Sequence, residues 1–389
     1  VAGYHRTPSY DLDLSDEATT GSAVSQFDLF NQTRFNVNED MWFVARVNYM
    51  QREMTGVDIN NAAILDRTNL TEDFQSALKW TWAPDTASIV TSGVNFSIYR
   101  DQYLIDQRGA EALDKYEETI ENLGTIQVQY DRQLGQRHWF SIGVDSFLQD
   151  MTSDRLLEQK GFRHRTAVFA QDMWEIGKKK ELTVFSGVRL DVDSWFGVNP
   201  TPKIALRYGT TDEVVLRLSY GWGFRGPDFK EMLLFFENPG RNYQVEGNPN
   251  LQPESSQSVQ LGVEVTPSDT FEIRANGFFN DINNLIAIGT LEDSVGGSAI
   301  RYGYINIGQA QTTGAETQFR FRPNDTFHTQ IGYTFTHAKD LSNDRRLEGQ
   351  PAHHGNIALT AFHELIGLKV TGRATLFGTR AFYMDTDGD

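Results

Sequence analysis

The sequence contains no cysteine, so it can form neither a disulfide framework nor a thiolate metal site. It also lacks an apolar run of about 18 residues, which excludes a transmembrane helix. Membrane-spanning β-strands stay possible, because their side chains alternate and never form such a run. Basic residues are scarce: 35 Lys and Arg stand against 52 Asp and Glu, giving a formal net charge of −17. This acidic balance argues against nucleic acid as a partner.

A period of two dominates the second half of the sequence, most clearly over residues 214–224. There, every even position is apolar, whereas the odd positions from 217 onwards are polar or glycine. Alternating side chains point to opposite faces of a strand, so this pattern predicts a strand with one lipid-facing side. The side chains predicted to face lipid are Leu218, Tyr220, Trp222 and Phe224, and those predicted to face the interior are Arg217 and Ser219.

Similar patterns predict about sixteen strands and an all-β fold. Many of them exceed the roughly 9–11 residues that a tilted strand needs to cross a bilayer. Soluble sheets have shorter strands, with a mean of about 5–6 residues. The predicted strands cover residues 27–36, 41–54, 72–83, 87–102, 122–132, 137–152, 163–176, 180–194, 200–208, 213–224, 256–265, 270–288, 304–322, 325–339, 353–363 and 366–380.

The connections alternate between short turns and long segments. Short turns, such as Pro84-Asp85-Thr86 and Pro323-Asn324-Asp325, lie at one end of each strand pair. This is the layout of an antiparallel transmembrane β-barrel in the bacterial outer membrane, with periplasmic turns and extracellular loops. The predicted long connections, of which 195–199 is the shortest, are 55–71, 103–121, 153–162, 195–199, 224–255, 289–303 and 340–352.

Tryptophans and charges support this orientation. Five of the seven tryptophans lie within a few residues of the short turns, where an interfacial aromatic belt is expected: Trp42, Trp80, Trp82, Trp139 and Trp174. We expect the charged side of the strands to line a hydrated lumen as a solvated charge network. The residues assigned to it are Arg189, Asp191, Arg217, Glu264, Glu272, Arg274, Glu316, Arg320 and Arg322.

The connection 224–255 is the longest, and connections of this length are usually functional. Asp228 is expected to cap a short helix over residues 229–236. On the extracellular side, its cations would attract an anionic ligand, and its aromatic rings would stack on that ligand. Alternatively, Arg225 hydrogen-bonds carbonyls of the loop itself. The predicted ligand-binding residues are Arg225, Lys230, Phe235, Phe236, Arg241 and Tyr243.

Both ends of this connection carry a family resemblance. "GWGFRGPDFKEML" followed by "GNPNLQPESSQSVQLGVEV" resembles the barrel signature of TonB-dependent outer-membrane receptors. "INIGQAQTTGAETQFRF" and "GQPAHHGNIALT" resemble later elements of the same family, in the same order. Gly226 stands where the family usually has alanine. The motif residues, with an expected structural role, are Phe224, Arg225, Gly226, Pro227, Asn248, Pro249, Leu251, Pro253 and Glu254.

The resemblance implies a barrel of roughly 22 strands plugged by an N-terminal domain. With about sixteen strands visible, residues 1–389 are expected to be a partial barrel domain, lacking the plug and some terminal strands. Val1 follows no methionine or signal peptide, and Asp389 ends an acidic run, so both are expected to be unnatural termini. The implied partners are TonB, through a missing segment, outer-membrane lipid and lipopolysaccharide, and a small ligand; the receptor is expected to be a monomer.

The resemblance implies a ligand-gated active importer, with an iron–siderophore complex as the leading cargo. A haem or cobalamin receptor of the same fold and a passive porin are the alternatives. Haem receptors of the family usually carry a histidine between the two motif elements, and the segment from Pro227 to Asn248 has none. No catalytic set or cofactor motif is recognisable, so we expect neither an enzyme nor a bound cofactor.

One weak metal signal lies at the end of the sequence. Asp385, Asp387 and Asp389 alternate as in the start of a calcium-binding loop. The remainder of such a loop is missing, so the preferred interpretation is an acidic extracellular segment without a metal.

Overall fold

The computed structural model describes residues 1–12, 17–60, 63–179, 181–238, 243–291 and 300–383. Within this part of the chain, twenty strands form one sheet, accompanied by a short α-helix, Phe229–Leu233 (α1), and a 3-10 turn, Glu364–Ile366. The strands are Ala2–Thr7 (β1), Ala23–Asn36 (β2), Met41–Asn60 (β3), Ala63–Asp85 (β4), Ser88–Gln107 (β5), Lys115–Leu134 (β6), His138–Ser153 (β7), Lys160–Ile176 (β8), Leu182–Asp193 (β9), Gly197–Gly209 (β10), Val214–Arg225 (β11), Phe235–Asn238 (β12), Tyr243–Glu246 (β13), Glu254–Ser268 (β14), Phe271–Thr290 (β15), Ile300–Phe321 (β16), Phe327–Asp340 (β17), Arg345–Arg346 (β18), His353–His363 (β19) and Leu368–Phe377 (β20).

The long strands form an antiparallel meander. Each pairs with the next long strand along the chain, and β11 pairs with β14 across the inserted segment. The sixteen strands of ten or more residues confirm the sixteen predicted from the sequence. Four short strands were missed: β1, β12, β13 and β18. Among the described strands β1 pairs only with β2 and β20 only with β19, so the sheet is not closed, as expected.

Several connections are shorter than the sequence predicts, because the strands continue past the apolar band. Strand β5 continues to Gln107 and strand β6 begins at Lys115, and both residues lie within the stretch 103–121 that was predicted as a loop. Their backbones stay hydrogen-bonded, but Tyr103, Leu104 and Ile105 follow one another directly, so apolar and polar residues no longer alternate between the two faces. The connection predicted at 195–199 is a tight turn, and Gly197 adopts a positive φ of 67° there. None of the described helices is long and apolar enough to cross a bilayer.

The predicted faces of β11 are confirmed. Leu218, Tyr220 and Trp222 are exposed along one side, as membrane-facing side chains are when no lipid is present. Arg217 lies on the other side and pairs with Glu264 at 3.0 Å. Phe224, at the end of the strand, is half-buried.

Seven of the nine charges assigned to the lumen form ion pairs with one another along the inner wall. Glu272 forms an ion pair with Arg274 at 2.5 Å and accepts a hydrogen bond from Arg320 at 2.6 Å. Arg189 pairs with Asp145 at 2.6 Å and with its strand neighbour Asp191 at 2.9 Å. Facing lipid at the midplane, each Arg would cost about 2–4 kcal/mol, so this placement follows from solvation. The expectation of a solvated charge network is confirmed for these residues.

The tryptophans near the short turns divide between the two faces. Trp80 stacks on Trp82 with ring centroids 6.2 Å apart, and Trp139 and Trp174 are exposed beside their turn. Trp42 differs, because Phe43 stands opposite Trp80 in the register and places Trp42 on the inner face. The guanidinium of Arg34 lies 4.9 Å from its ring. Trp139 also lies on the inner face, because it stands opposite Met173, whereas Trp174 stands opposite His138 on the outer face. Three of the five, Trp80, Trp82 and Trp174, thus form the expected belt, and Trp42 and Trp139 do not belong to it.

Candidate functional site

The long connection between β11 and β14 is closed at its base by an ion-pair triad. Arg225 and Glu254 stand opposite each other in the strand register. Arg225 donates to Glu254 at 2.6 Å and to Glu231 of α1 at 3.0 Å. These bonds raise the pKa of the Arg225 guanidinium above its ordinary value. Burial alone would raise the pKa of Glu254. The hydrogen bonds from Arg225 and from the Ile286 backbone lower it by more, so the pKa lies below its usual range.

Helix α1 begins as the sequence predicts and ends earlier. The Asp228 side chain accepts from the Glu231 backbone at 2.7 Å, and the Glu231 side chain accepts from the Asp228 backbone at 2.9 Å. This reciprocal pair is a capping box. The helix ends at Leu233 rather than residue 236, because Leu234 is extended and bridges to Leu156.

A buried arginine fixes the left hinge of the connection. Arg163 of β8 binds Asp193 at 2.7 Å and donates to the carbonyl of Pro227 at 2.7 Å. A Cβ added to Gly226 would lie 2.4 Å from Nη2 of Arg163 and 2.7 Å from the Phe196 ring. Close approach therefore explains why glycine stands where the family usually has alanine.

The right hinge is held by side-chain amides. Asn248 donates to the carbonyl of Tyr304 at 3.1 Å, and Asn306 accepts from the Gln252 backbone at 2.8 Å. Leu251 between them is only 2% exposed. Both hinges are thus packed elements, in keeping with the structural role expected of the motif residues.

Between the hinges, the hairpin β12–β13 carries aromatic side chains toward the neighbouring strands. The rings of Phe236 and Tyr243 lie 6.1 Å apart, and Tyr243 meets Tyr302 edge-on at 6.3 Å. Strand β13 pairs in parallel with the first residues of β16, and Arg301 there binds Glu246 at 2.7 Å. The hairpin is therefore anchored on the β16 side.

On its other side, the hairpin meets two cations of the sheet. The charged groups of Lys115 and Arg155 each lie 5.7 Å from the Phe236 ring, and Arg155 also lies 5.3 Å from the Tyr103 ring. Glu117 links them, at 2.5 Å from Lys115 and 2.7 Å from Arg155. Burial raises the pKa of Glu117, but its bonds to both cations outweigh burial and lower it.

We call these seven residues the rim cluster: Tyr103, Lys115, Glu117, Arg155, Phe236, Tyr243 and Tyr302. The sequence predicted only Phe236 and Tyr243 among them. The other five fall in three predicted long connections, and this position was the only signal for them: Tyr103, Lys115 and Glu117 in 103–121, Arg155 in 153–162 and Tyr302 in 289–303. The cluster combines aromatic faces with a net positive charge of about one unit, which suits an anionic aromatic ligand.

A family model described as TonB dependent receptor-like, beta-barrel matches residues 3–389. The chain belongs to this family. The family and fold are those of receptors and transporters rather than enzymes, and they place the chain in the bacterial outer membrane, as the alternating strands predict.

Two relatives of this TonB-dependent receptor-like barrel match part of it. An iron-regulated outer membrane virulence protein of Vibrio cholerae is 26% identical over 57% of the chain and 36% of its own length. A vitamin B12 transporter of Photobacterium profundum is 27% identical over 48% of the chain and 28% of its own length. The chain thus spans about a third of the curated relatives it matches.

Solved structures confirm the fold of the receptor-like barrel. The siderophore receptor PirA from Pseudomonas aeruginosa superposes with a TM-score of 0.70 at 14% sequence identity. The match includes 92% of this chain and 69% of the PirA chain. The FrpB iron transporter from Neisseria meningitidis superposes with a TM-score of 0.71 at 13% sequence identity. The match includes 96% of this chain and 63% of the FrpB chain.

The predicted ligand-binding residues of the barrel occupy three kinds of position. Phe236 and Tyr243 belong to the rim cluster. Lys230 and Phe235 are exposed, whereas Arg225 is held by two carboxylates rather than by loop carbonyls. Arg241 lies outside the described residues, as do Asp385, Asp387 and Asp389. No group of three metal-ligating side chains occurs in the described part of the chain.

Proposed function

We propose that this chain is the barrel of an outer-membrane receptor that captures an iron–siderophore complex and imports it actively, energised through TonB. The plug and the TonB-contacting segment would lie outside residues 1–389. Support comes from family membership, from the iron-regulated relative, and from the fold shared with siderophore and iron receptors.

The single observation that carries the proposal is the rim cluster. Its hairpin pairs with β16 on one side and contacts Lys115 of β6 and Arg155 of the β7–β8 connection on the other. The aromatic rings of the cluster are therefore held by contacts on both sides. Fixed loops on a rigid scaffold are where binding residues concentrate. Ferric catecholates combine negative charge with aromatic rings, which matches both parts of the cluster.

Within the proposal, the loop residues have separate roles. Phe236 and Tyr243 contact the ligand, and Lys230, Phe235 and Arg241 add charge and apolar surface around it. Arg225 holds the base of the loop through Glu231 and Glu254 instead of meeting the ligand. The receptor is proposed to act as a monomer.

The test is uptake by the full-length receptor in cells that lack other siderophore receptors. We expect accumulation of a labelled ferric catecholate, and its loss when a protonophore removes the proton gradient. Uptake that persists without the gradient would contradict active import and support a passive porin. Supplying cobalamin or haem as competitors distinguishes the remaining cargoes, since only the true ligand blocks uptake at low concentration.

A further inference from the structure

A cavity of about 520 Å³ lies on the inner wall of the sheet, in the half that ends at the short turns. We call it the lower hollow, and the side chains that line it include Phe185, Arg207, Arg217, Glu264, Arg274 and Asn276. Arg207 lies near the end of β10 and Arg274 near the start of β15, so both are close to short turns. The rim-cluster residues of β5, β6 and β16 lie near the opposite ends of their strands. Much of the height of the barrel therefore separates the lower hollow from the rim cluster.

The lower hollow forms because short side chains meet across three strands. Ala205 of β10 stands opposite Ser219 of β11, and Gly262 of β14 stands opposite Arg217. Ser219 shares the lumen-facing side of Arg217, so all three short residues leave space on that side. The resulting volume falls within the range of about 300–1,000 Å³ that small-molecule sites occupy. The hollow thus has room for a small ligand rather than for a single ion.

Two arginines in this hollow stand directly opposite each other. The strand register pairs Arg207 with Arg217, so both side chains project from the same face. Like charges in such positions repel and destabilise the strand pair. Arg207 is exposed, and no ion pair joins it to any other residue in the described part of the chain. An anion between the two arginines would remove this repulsion.

The carboxylates near the hollow do not balance its positive charge. Glu264 lies 3.0 Å from Arg217 and 3.6 Å from Arg274. Glu272 lies 2.5 Å from Arg274 and 2.6 Å from Arg320. Two carboxylates are therefore shared among three arginines, and the unpaired arginine of β10 adds a fourth cation. This surplus favours an anionic ligand, although the chain as a whole has a net charge of −17.

Cations continue from the hollow toward the mouth of the barrel. Lys203 lies on the same face of β10 as Arg207, is exposed, and is further from the short turn. Further along the same wall, Arg189 of β9 lies on the lumen side, where it pairs with Asp145. An anion that leaves the rim cluster for the periplasm would pass these cations before it reaches the lower hollow.

We propose that the lower hollow is a transit site, which holds the anionic cargo after it leaves the rim cluster and before it leaves the barrel. The surplus guanidinium groups bind the anionic oxygens of the cargo, and the ring of Phe185 contacts its aromatic part. The inference rests on the proposed function, because it requires an anionic cargo that crosses the lumen. The competing occupant is a part of the receptor outside residues 1–389.

The first test measures the charge preference of the hollow with thiol reagents, independently of the cargo. Residues 1–389 contain no cysteine, so Ser219→Cys in the full-length receptor adds one thiol to the lower hollow. Energised cells are treated with two methanethiosulfonate reagents, one bearing a sulfonate and the other a trimethylammonium group, and the two modification rates are compared. Because clefts of one charge concentrate counter-ions, adding Arg207→Gln should lower the sulfonate-to-ammonium rate ratio by about fivefold.

Two further variants control for this result. Arg207→Lys keeps the positive charge and should retain the rate ratio of the parent. Arg46→Gln removes an inner-wall arginine of β3, which donates to Gln32, and should also leave the ratio unchanged. An unchanged ratio in Arg207→Gln would overturn the proposal. So would a thiol that stays unreactive in energised cells, because another part of the receptor would then cover the hollow.

The second test asks whether the cargo uses the hollow. At matched surface levels, Arg207→Gln with Ser219 intact should bind a ferric catecholate as tightly as wild type in de-energised cells, while its maximal uptake rate in energised cells falls about threefold. A wild-type uptake rate, or a loss of affinity that matches the loss of rate, would overturn the proposal. If the wild-type receptor imports no ferric catecholate, the proposed function fails, and the reagent ratio alone decides whether the hollow attracts anions.

Discussion

At the scale of single residues, the left hinge of the long connection depends on one buried arginine. Arg163 is 6% exposed and satisfies Asp193 and the carbonyl of Pro227 at once. Removing one partner of such a buried pair leaves an uncompensated charge. Gly226 is required because the guanidinium occupies the space of a side chain, not because the backbone has a positive φ.

This contact predicts the effect of Gly226→Ala. The new Cβ would meet Arg163 at 2.4 Å, so the hinge must shift. Overpacking of this kind costs about 1–3 kcal/mol, and we expect faster proteolysis within 226–253 of the folded full-length protein. Gly124→Ala is the matched control, because nothing lies within 4 Å of its added Cβ. Equal cleavage rates for the two variants would contradict the proposed fit.

At the scale of elements, α1 and the hairpin β12–β13 form one anchored insert. The triad of Arg225, Glu231 and Glu254 ties the helix to both flanking strands. The sequence predicted the helix start from Asp228, because capping is local. It did not predict the hairpin, because β12 and β13 have only four residues each and β13 pairs with a strand more than fifty residues away.

The triad predicts an acid-induced loosening of this insert. The folded pKa of Glu254 is depressed, so its ion pair stabilises the closed loop above the ordinary Glu pKa of about 4.3. That stability is lost as pH falls through the lower, folded pKa. Digestion with an acid-active protease should leave 226–253 intact near pH 5 and cut it below about pH 4. Glu254→Gln should remove this pH dependence; a wild-type profile in that variant would refute the assignment.

At the scale of the whole molecule, the barrel wall was predictable and the rim was not. Membrane-crossing segments have one apolar and one polar face, and this difference makes a period of two visible, as in β11. In the outer parts of β5 and β6 this alternation is lost, because Tyr103, Leu104 and Ile105 are consecutive, and the segment 103–121 was therefore predicted as a loop. The rim cluster brings together Tyr103 of β5, Arg155 of the β7–β8 connection and Tyr302 of β16, and no local sequence pattern predicts contacts between segments so far apart in the chain.

The central claim is that the rim cluster binds the imported ligand. The most direct measurement is the affinity of the purified full-length receptor for a ferric catecholate, with Phe236→Ala and Tyr243→Ala combined. Loss of two stacking rings should weaken binding by at least about tenfold. Phe96→Ala, which removes an exposed lipid-facing ring, should bind like wild type. Unchanged affinity in the folded double variant would contradict the account.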